Sequence, residues 1–122
     1  MSALIPLWLA LAGGAGAVVR FMLDGAVRRR WPTDFPFSTL LINVTGSFAL
    51  GLLASAVAAR SMGPEVLLIA GTGFLGGYTT FSTASLETVR LLHNREPLRA
   101  VLYGLGGAVL CLVAAWAGIL LG

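Results

Sequence analysis

The segment GFLGGYTTFSTAS, residues 73–85, interrupts a long apolar stretch with adjacent glycines and a series of hydroxyl side chains. Gly76 and Gly77 favour a helix poorly and allow it to break. The hydroxyl side chains that follow are those of Thr79, Thr80, Ser82, Thr83 and Ser85. In lipid, backbone groups freed by a break must be satisfied by protein, an ion or water. The segment therefore predicts a broken helix with an ion site at its ends. The alternative is a kinked helix whose hydroxyls bond back to their own backbone.

The composition of the chain places this segment in a membrane. Of its 122 residues, 57% are hydrophobic and 11% are charged, and the mean hydropathy is +0.90. The largely apolar stretches cover residues 4–27, 37–59, 65–92 and 98–121. Each is long enough to cross a bilayer core, which needs roughly 20 helical residues. We therefore predict an all-α membrane protein with a single transmembrane domain, residues 1–122, in which four helices span the membrane and the third is broken in mid-membrane.

The arginines predict the orientation of the chain. There is no lysine, and six arginines flank the loops that join span one to two and span three to four, whereas only Arg60 lies on the opposite side. Basic residues near helix ends favour the cytoplasm. We expect a multi-pass protein of the inner cell membrane with both termini outside the cytoplasm. The cluster RRR at residues 28–30 is too short, and too close to a span, to indicate nucleic-acid binding.

Small residues suggest how the helices associate. Four short helices enclose little space, so we expect the chain to form an oligomer in the lipid bilayer. Pairs of small residues at helical spacing allow helix backbones to approach closely. These pairs are Gly13 with Ala17, Gly73 with Gly77, and Gly104 with Ala108.

Polar side chains within the spans are candidates for function, because placing them in lipid is costly. Arg20 lies about two turns from the cytoplasmic end of the first span, where it can snorkel to the interface or act as a structural anchor. Thr39, Asn43 and Ser47 are spaced by four residues and share one face of the second span. A single asparagine often joins two helices, but a stripe of three polar residues predicts the lining of a pathway.

Three sequence blocks together resemble the bacterial fluoride channel family. They are GGAGAVVR at 13–20, STLLINVTGSFALG at 38–51 and GFLGGYTTFST at 73–83. The blocks occur in the expected order on the expected spans, and the resemblance covers essentially the whole chain. It implies an antiparallel dimer of four-helix subunits with two fluoride pores and a structural sodium ion at the subunit interface. The implied function is passive efflux of cytoplasmic fluoride, which protects the cell from fluoride toxicity.

The resemblance also implies which residues form each site. The family's sodium ligands are backbone carbonyls, which fall on Gly76 and Thr79. Amide N–H groups and hydroxyls can replace the water around a small anion, and the positive edge of a phenylalanine ring can face it. The residues implied for the fluoride pore are Thr39, Asn43, Phe81, Ser82, Thr83 and Tyr103.

Two departures from the family pattern point to a heterodimer. Ala84 stands where the family usually has a second phenylalanine. On the fourth span the family commonly has polar residues at one-turn intervals, and here the series reads Tyr103, Gly107 and Cys111, so its middle position is not polar. The arginine bias also argues against an antiparallel homodimer, because such a dimer needs a sequence that inserts in both orientations. We therefore expect the partner to be a second, homologous subunit of opposite orientation.

Other functional classes remain as alternatives. A non-conducting assembly subunit is compatible with the depleted fourth span. A small multidrug exporter would need a carboxylate buried in the first span, which has only Asp24 near its end. Glu87 in the third span has Arg90 at i+3, and we expect a local ion pair. An enzyme is not expected, since His93 lies in a polar loop without clustered carboxylates.

Overall fold

The computed structural model describes residues 3–33 and 35–122, and within these ranges it contains helices and no strands. The all-α prediction is therefore confirmed for the described residues. We number the helices α1 to α5, taking residues 64–78 together as α3. The bounds are Ile5–Arg30 for α1, Phe37–Ala58 for α2, 64–78 for α3, Phe81–His93 for α4 and Pro97–Leu121 for α5.

Three of these helices are long and apolar enough to cross a membrane, namely α1, α2 and α5. Proline starts several of the helices, with Pro64 in the first turn of α3 and Pro97 in that of α5. Proline suits this position because the first N–H groups of a helix have no partner within it. The three arginines of the last turn of α1 lie at the negative end of its helix dipole, which favours them there.

The third predicted span is two helices joined at a break. Its first part, α3, is built of Pro64–Val66, a π-helical stretch Leu67–Leu75, and Gly76–Tyr78. Thr79 and Thr80 have extended backbones, with ψ of 161° and 120°, and α4 begins at Phe81. The π-helical stretch was not predicted; it gives α3 wider turns, and the short α-helical segment Gly76–Tyr78 separates it from the break.

The break is present, but it does not begin at the glycines. Gly76 is helical, with φ of −62° and ψ of −39°, so the expectation that the chain opens at Gly76 is wrong. Thr80 is the N-cap of α4, and its hydroxyl accepts a hydrogen bond from the Thr83 N–H at 3.2 Å. The interruption falls at the threonines because a β-branched residue favours extended backbone and a threonine hydroxyl starts a new helix.

The glycines instead allow α1 and α3 to touch backbone to backbone. A Cβ atom added at Gly77 would overlap the carbonyl of Gly13, and one added at Gly16 would overlap the carbonyl of Phe74. Helices approach this closely in membranes through small residues. Gly51 and Gly118 form a similar contact between α2 and α5.

Buried side chains form two small clusters between the helices. Ile42, Leu75 and Tyr78 pack beside the break, and Leu91, Ala100 and Tyr103 pack between α4 and α5. Most of the large apolar side chains on the outer faces of α1 and α5 are exposed. Such a surface suits lipid, which solvates apolar side chains as well as a protein interior does.

Candidate functional site

Asn43 holds the broken helix through both ends of its side-chain amide. Its Nδ2 donates to the Thr80 carbonyl at 2.9 Å, and the Thr80 N–H donates to its Oδ1 at 2.8 Å. In a continuous α-helix the Thr80 N–H would bond to the Gly76 carbonyl, four residues earlier. Asn43 therefore accepts from the Thr80 N–H that would otherwise donate to the Gly76 carbonyl. From the neighbouring helix α2 it provides hydrogen-bond partners for both backbone groups of Thr80.

Arg20 satisfies a second group that the break releases. Its Nε donates to the Gly77 carbonyl at 3.2 Å, and in a continuous helix that carbonyl would accept from the N–H of Phe81. The close backbone contact between α1 and α3 brings the two groups together, because a larger residue at Gly77 would push the helices apart. Arg20 is half-buried, and in this structure its side chain lies on the break.

Hydroxyl groups surround the start of α4. The Thr80 hydroxyl lies 3.3 Å from that of Ser82 and donates to that of Thr83 at 3.2 Å. The Thr79 hydroxyl instead donates to the Leu75 carbonyl at 2.8 Å, four residues back along its own helix. The kinked-helix alternative, in which hydroxyls bond back to their own helix, thus describes Thr79. The hydroxyls of Thr80, Ser82 and Thr83 instead form a polar cluster beyond the break.

A groove of about 740 Å³ runs alongside the break between α2, α3, α4 and α5. Of the residues expected at the sodium and fluoride sites, the structure places Gly76, Thr79, Asn43, Phe81 and Tyr103 along its wall. The side of the groove next to the break is polar, and the side formed by α5 is largely apolar. Residues of the break, the amide-bearing Asn43 and the aromatic residues Phe81 and Tyr103 thus share one groove wall.

The remaining predicted residues lie beside the groove. Ser82 is exposed and Thr83 half-buried next to Thr80. Thr39 is buried, and its side chain contacts the hydroxyl of Tyr103. The two residues that depart from the expected pattern, Ala84 and Gly107, do line the groove, so their missing polar or aromatic groups affect its wall directly.

Comparison with known proteins assigns the chain to a family. Residues 7–119 match the model of the family described as CrcB-like protein, Camphor Resistance (CrcB). The chain belongs to this CrcB-like family. The match includes all of α2, α3 and α4 and nearly all of α1 and α5.

Named relatives of this CrcB-like chain are described as fluoride-specific ion channels. A protein of Leifsonia xyli subsp. xyli, "Fluoride-specific ion channel FluC 1", is 52% identical over 122 residues, which is 100% of this chain and 89% of the relative. "Fluoride-specific ion channel FluC 2" of Cutibacterium acnes is 44% identical over 117 residues, which is 95% of each chain. A FluC 1 protein of Listeria innocua is 44% identical over 108 residues, which is 88% of this chain and 87% of the relative.

A charged cluster at one end of the groove of this CrcB-like chain was not predicted. Glu87 accepts hydrogen bonds from Tyr103 Oη and from Arg28 Nη2, each at 3.3 Å. Arg28 also pairs with Asp24 at 2.9 Å, and the Ser38 hydroxyl donates to Asp24. This cluster joins α1, α2, α4 and α5, and it ties the middle of α4, at Glu87, to the other three helices.

The expected local pair between Glu87 and Arg90 is wrong. The Glu87 side chain is only 10% exposed and pairs with Arg28, 59 residues earlier, whereas Arg90 is exposed. Glu87 points into the bundle, where the burial of a carboxylate is tolerated only with a partner. The arginines at 28–30 were visible in the sequence as possible partners of a carboxylate, but which carboxylate Arg28 contacts depends on how α1 packs against α4.

The cluster also determines what Tyr103 can offer to an anion. A tyrosine has one O–H donor, and here it is directed at the Glu87 carboxylate. An anion in the groove must therefore compete with Glu87 for this donor. Asn43 has a further donor to offer, since its Nδ2 carries two hydrogens and the bond to the Thr80 carbonyl uses one of them.

Proposed function

We propose that this chain is a subunit of a fluoride-specific channel that allows cytoplasmic fluoride to leave the cell passively and so protects against fluoride toxicity. The observation that carries the proposal is the helix break at Thr79 and Thr80, which Asn43 clamps at the wall of a groove. The relatives described as fluoride-specific ion channels share up to 52% of its residues. Membership of a family with such relatives supports a transport protein, not an enzyme.

The groove residues match what fluoride requires. A bare ion of this size faces an idealised cost on the order of 20 kcal/mol on entering a medium like dry protein, so donors must replace its water. Asn43 offers a second amide N–H, and the hydroxyls of Ser82 and Thr83 follow beyond the break. Phe81 offers the positive edge of its ring. We propose Thr39, next to Tyr103, as part of the same path.

We further propose that the working channel is an antiparallel dimer with a second subunit of opposite orientation. Phe81 is 88% exposed and stands at the wall of an open groove, an arrangement that a facing subunit would complete. In this arrangement α3 and α4 together form the third of four membrane crossings. Ala84 and Gly107 weaken this chain's own groove wall, and this favours a homologous partner that supplies the missing groups, and thus a heterodimer.

We propose that the carbonyls of Gly76 and Thr79 help to hold a structural sodium ion. Both residues lie at the groove wall, and Asn43 diverts the N–H that would cover the Gly76 carbonyl. Carbonyl oxygens replace the hydration shell of a hard cation, but two oxygens are too few to do so alone. We propose that the same pair on the facing subunit completes the ligand set at the dimer interface.

The orientation proposed for the chain follows its arginines. With the α1–α2 and α4–α5 connections in the cytoplasm, both termini lie outside and the protein is a multi-pass protein of the inner cell membrane. The charged cluster of Arg28 and Glu87 then lies at the cytoplasmic end of the groove. Basic residues there raise the local anion concentration at the entrance.

Fluoride efflux from liposomes tests the proposal. We expect efflux when this chain is reconstituted with an oppositely oriented homologous subunit, and little when it is alone. Asn43→Ala should reduce efflux in the pair, with Thr45→Ala as the matched control, since the Thr45 hydroxyl bonds within α2 and to Tyr78 instead of to the break. Robust efflux from this chain alone would refute the heterodimer but support the channel. Normal efflux from assembled Asn43→Ala channels would indicate a non-conducting assembly role for this chain.

A further inference from the structure

A second groove, of about 810 Å³, lies at the end of the bundle where α1 leads into α2, and it shares only Leu40 with the groove beside the break. Its volume is in the range of pockets that hold small molecules. Apolar side chains from α1, α2 and α5 line it, including Val27, Leu41, Val44 and Leu110. None of the residues proposed for the ion path contributes to it.

The mouth of this groove is basic and aromatic. Arg30 and Trp31 both line it, and the guanidinium of Arg30 lies 5.7 Å from the centre of the Trp31 ring. This distance is within the range of a cation–π contact, so Trp31 holds the Arg30 guanidinium at the groove wall. Within residues 3–33 and 35–122, Arg28 is paired with two carboxylates, while Arg30 forms no ion pair.

We propose that this groove binds an anionic phospholipid, with an acyl chain along the apolar wall and the headgroup phosphate at Arg30. The groove is apolar along its length and positive at the end where the helix leaves the membrane, which is the distribution of charge in such a lipid. Tryptophan is favoured at the headgroup level. The arginine bias places this end in the cytoplasmic leaflet, where anionic lipids are concentrated.

The proposed lipid also favours one orientation of the chain. An anionic lipid bound at Arg30 stabilises the subunit with its α1–α2 connection at the cytoplasmic leaflet. A subunit of opposite orientation presents the same connection to the other leaflet, which attracts cations less. The site is thus a property of this chain's own basic end and needs no fluoride path.

Quenching of Trp31 fluorescence by brominated lipids tests the site. The chain has three tryptophans, so Trp8→Phe with Trp116→Phe leaves Trp31 as the only one. This variant is reconstituted in phosphatidylcholine vesicles that contain brominated phosphatidylglycerol or brominated phosphatidylcholine. We expect phosphatidylglycerol to be preferred about fivefold, the factor contributed by one basic residue near an anionic headgroup.

Two pairs of variants separate a defined site from a general surface. Arg30→Gln should reduce the preference to about one, whereas Arg29→Gln, which changes the net charge equally but does not line the groove, should keep it. Leu110→Phe should decrease quenching by filling the groove, and Leu112→Phe, 71% exposed on the same helix, should not. Equal effects of Arg29→Gln and Arg30→Gln, no preference in the parent, or no quenching by either lipid would each overturn the proposal.

Discussion

Replacing Asn43 with alanine tests how the break is held, because it removes both hydrogen bonds to Thr80 with one change. A side-chain hydrogen bond in a membrane protein contributes about 0.6 kcal/mol on average and about 1.7 kcal/mol at most, so two bonds contribute about 1 to 3 kcal/mol, with about 2 kcal/mol in the middle of this range. The Thr80 N–H then has neither Asn43 nor a helical partner. Because 1.4 kcal/mol corresponds to a factor of ten, we expect its amide hydrogen to exchange with solvent about 30-fold faster.

Hydrogen exchange of the Thr80 amide in lipid nanodiscs measures this effect locally. Asn43→Asp is an informative second variant, since a carboxylate still accepts from the Thr80 N–H but cannot donate to the Thr80 carbonyl. We expect it to retain much of the amide protection. Ser47→Ala, one turn along the same face of α2, controls for changes of the groove wall. Unchanged exchange at Thr80 in a folded Asn43→Ala protein would refute the clamp.

Other substitutions test the contacts around the break. Gly77→Ala should lower the free energy of unfolding by about 1–3 kcal/mol, because its Cβ would meet the α1 backbone. Gly14→Ala is the control, since a Cβ there meets nothing within 4 Å, and it should leave the melting temperature unchanged. Equal melting temperatures of the two variants would contradict the contact between α1 and α3. Arg20→Gln should weaken the hydrogen bond to the Gly77 carbonyl and increase amide hydrogen exchange at the break, whereas Arg20→Lys should retain part of the protection. Unchanged amide protection in both variants would show that Arg20 does not stabilise the break. Glu87→Gln should destabilise the bundle by about 1–3 kcal/mol through loss of its charged pair with Arg28, as measured by thermal unfolding; a larger loss in Glu96→Gln, at an exposed pair, would contradict the buried role.

Several features of the site could be predicted from sequence because they are local. A break in the third apolar stretch follows from glycines next to a run of hydroxyls, and its residues were found to within three positions. Asn43 was a candidate because an amide in an apolar helix needs a partner. The partner itself, the backbone of Thr80, lies 37 residues away and could not be read from any spacing.

The charged cluster shows the opposite case. Glu87 and Arg90 are correctly spaced for a helical pair, and spacing alone favoured that pair. The structure directs Glu87 inward and leaves Arg90 exposed. Which face of α4 is buried depends on its packing against α5, and no pattern within α4 specifies the partner Arg28 on α1.

The class of the protein follows from the sequence: apolar stretches of membrane length, a helix interrupted at a polar segment, an asymmetric distribution of arginine, and membership of the CrcB-like family. These properties depend on the order of residues along one chain and on the cost of polar groups in lipid. The position of the break and the contacts that hold it depend on how the helices pack. Glycines that could have opened α3 are used for its contact with α1, and this contact delivers Arg20 to the Gly77 carbonyl. The break then moves to the threonines, where Asn43 from α2 replaces the missing helical partners. This is because a backbone group freed in lipid needs a donor or acceptor within about 3 Å, and packing between helices brings distant groups together at that distance.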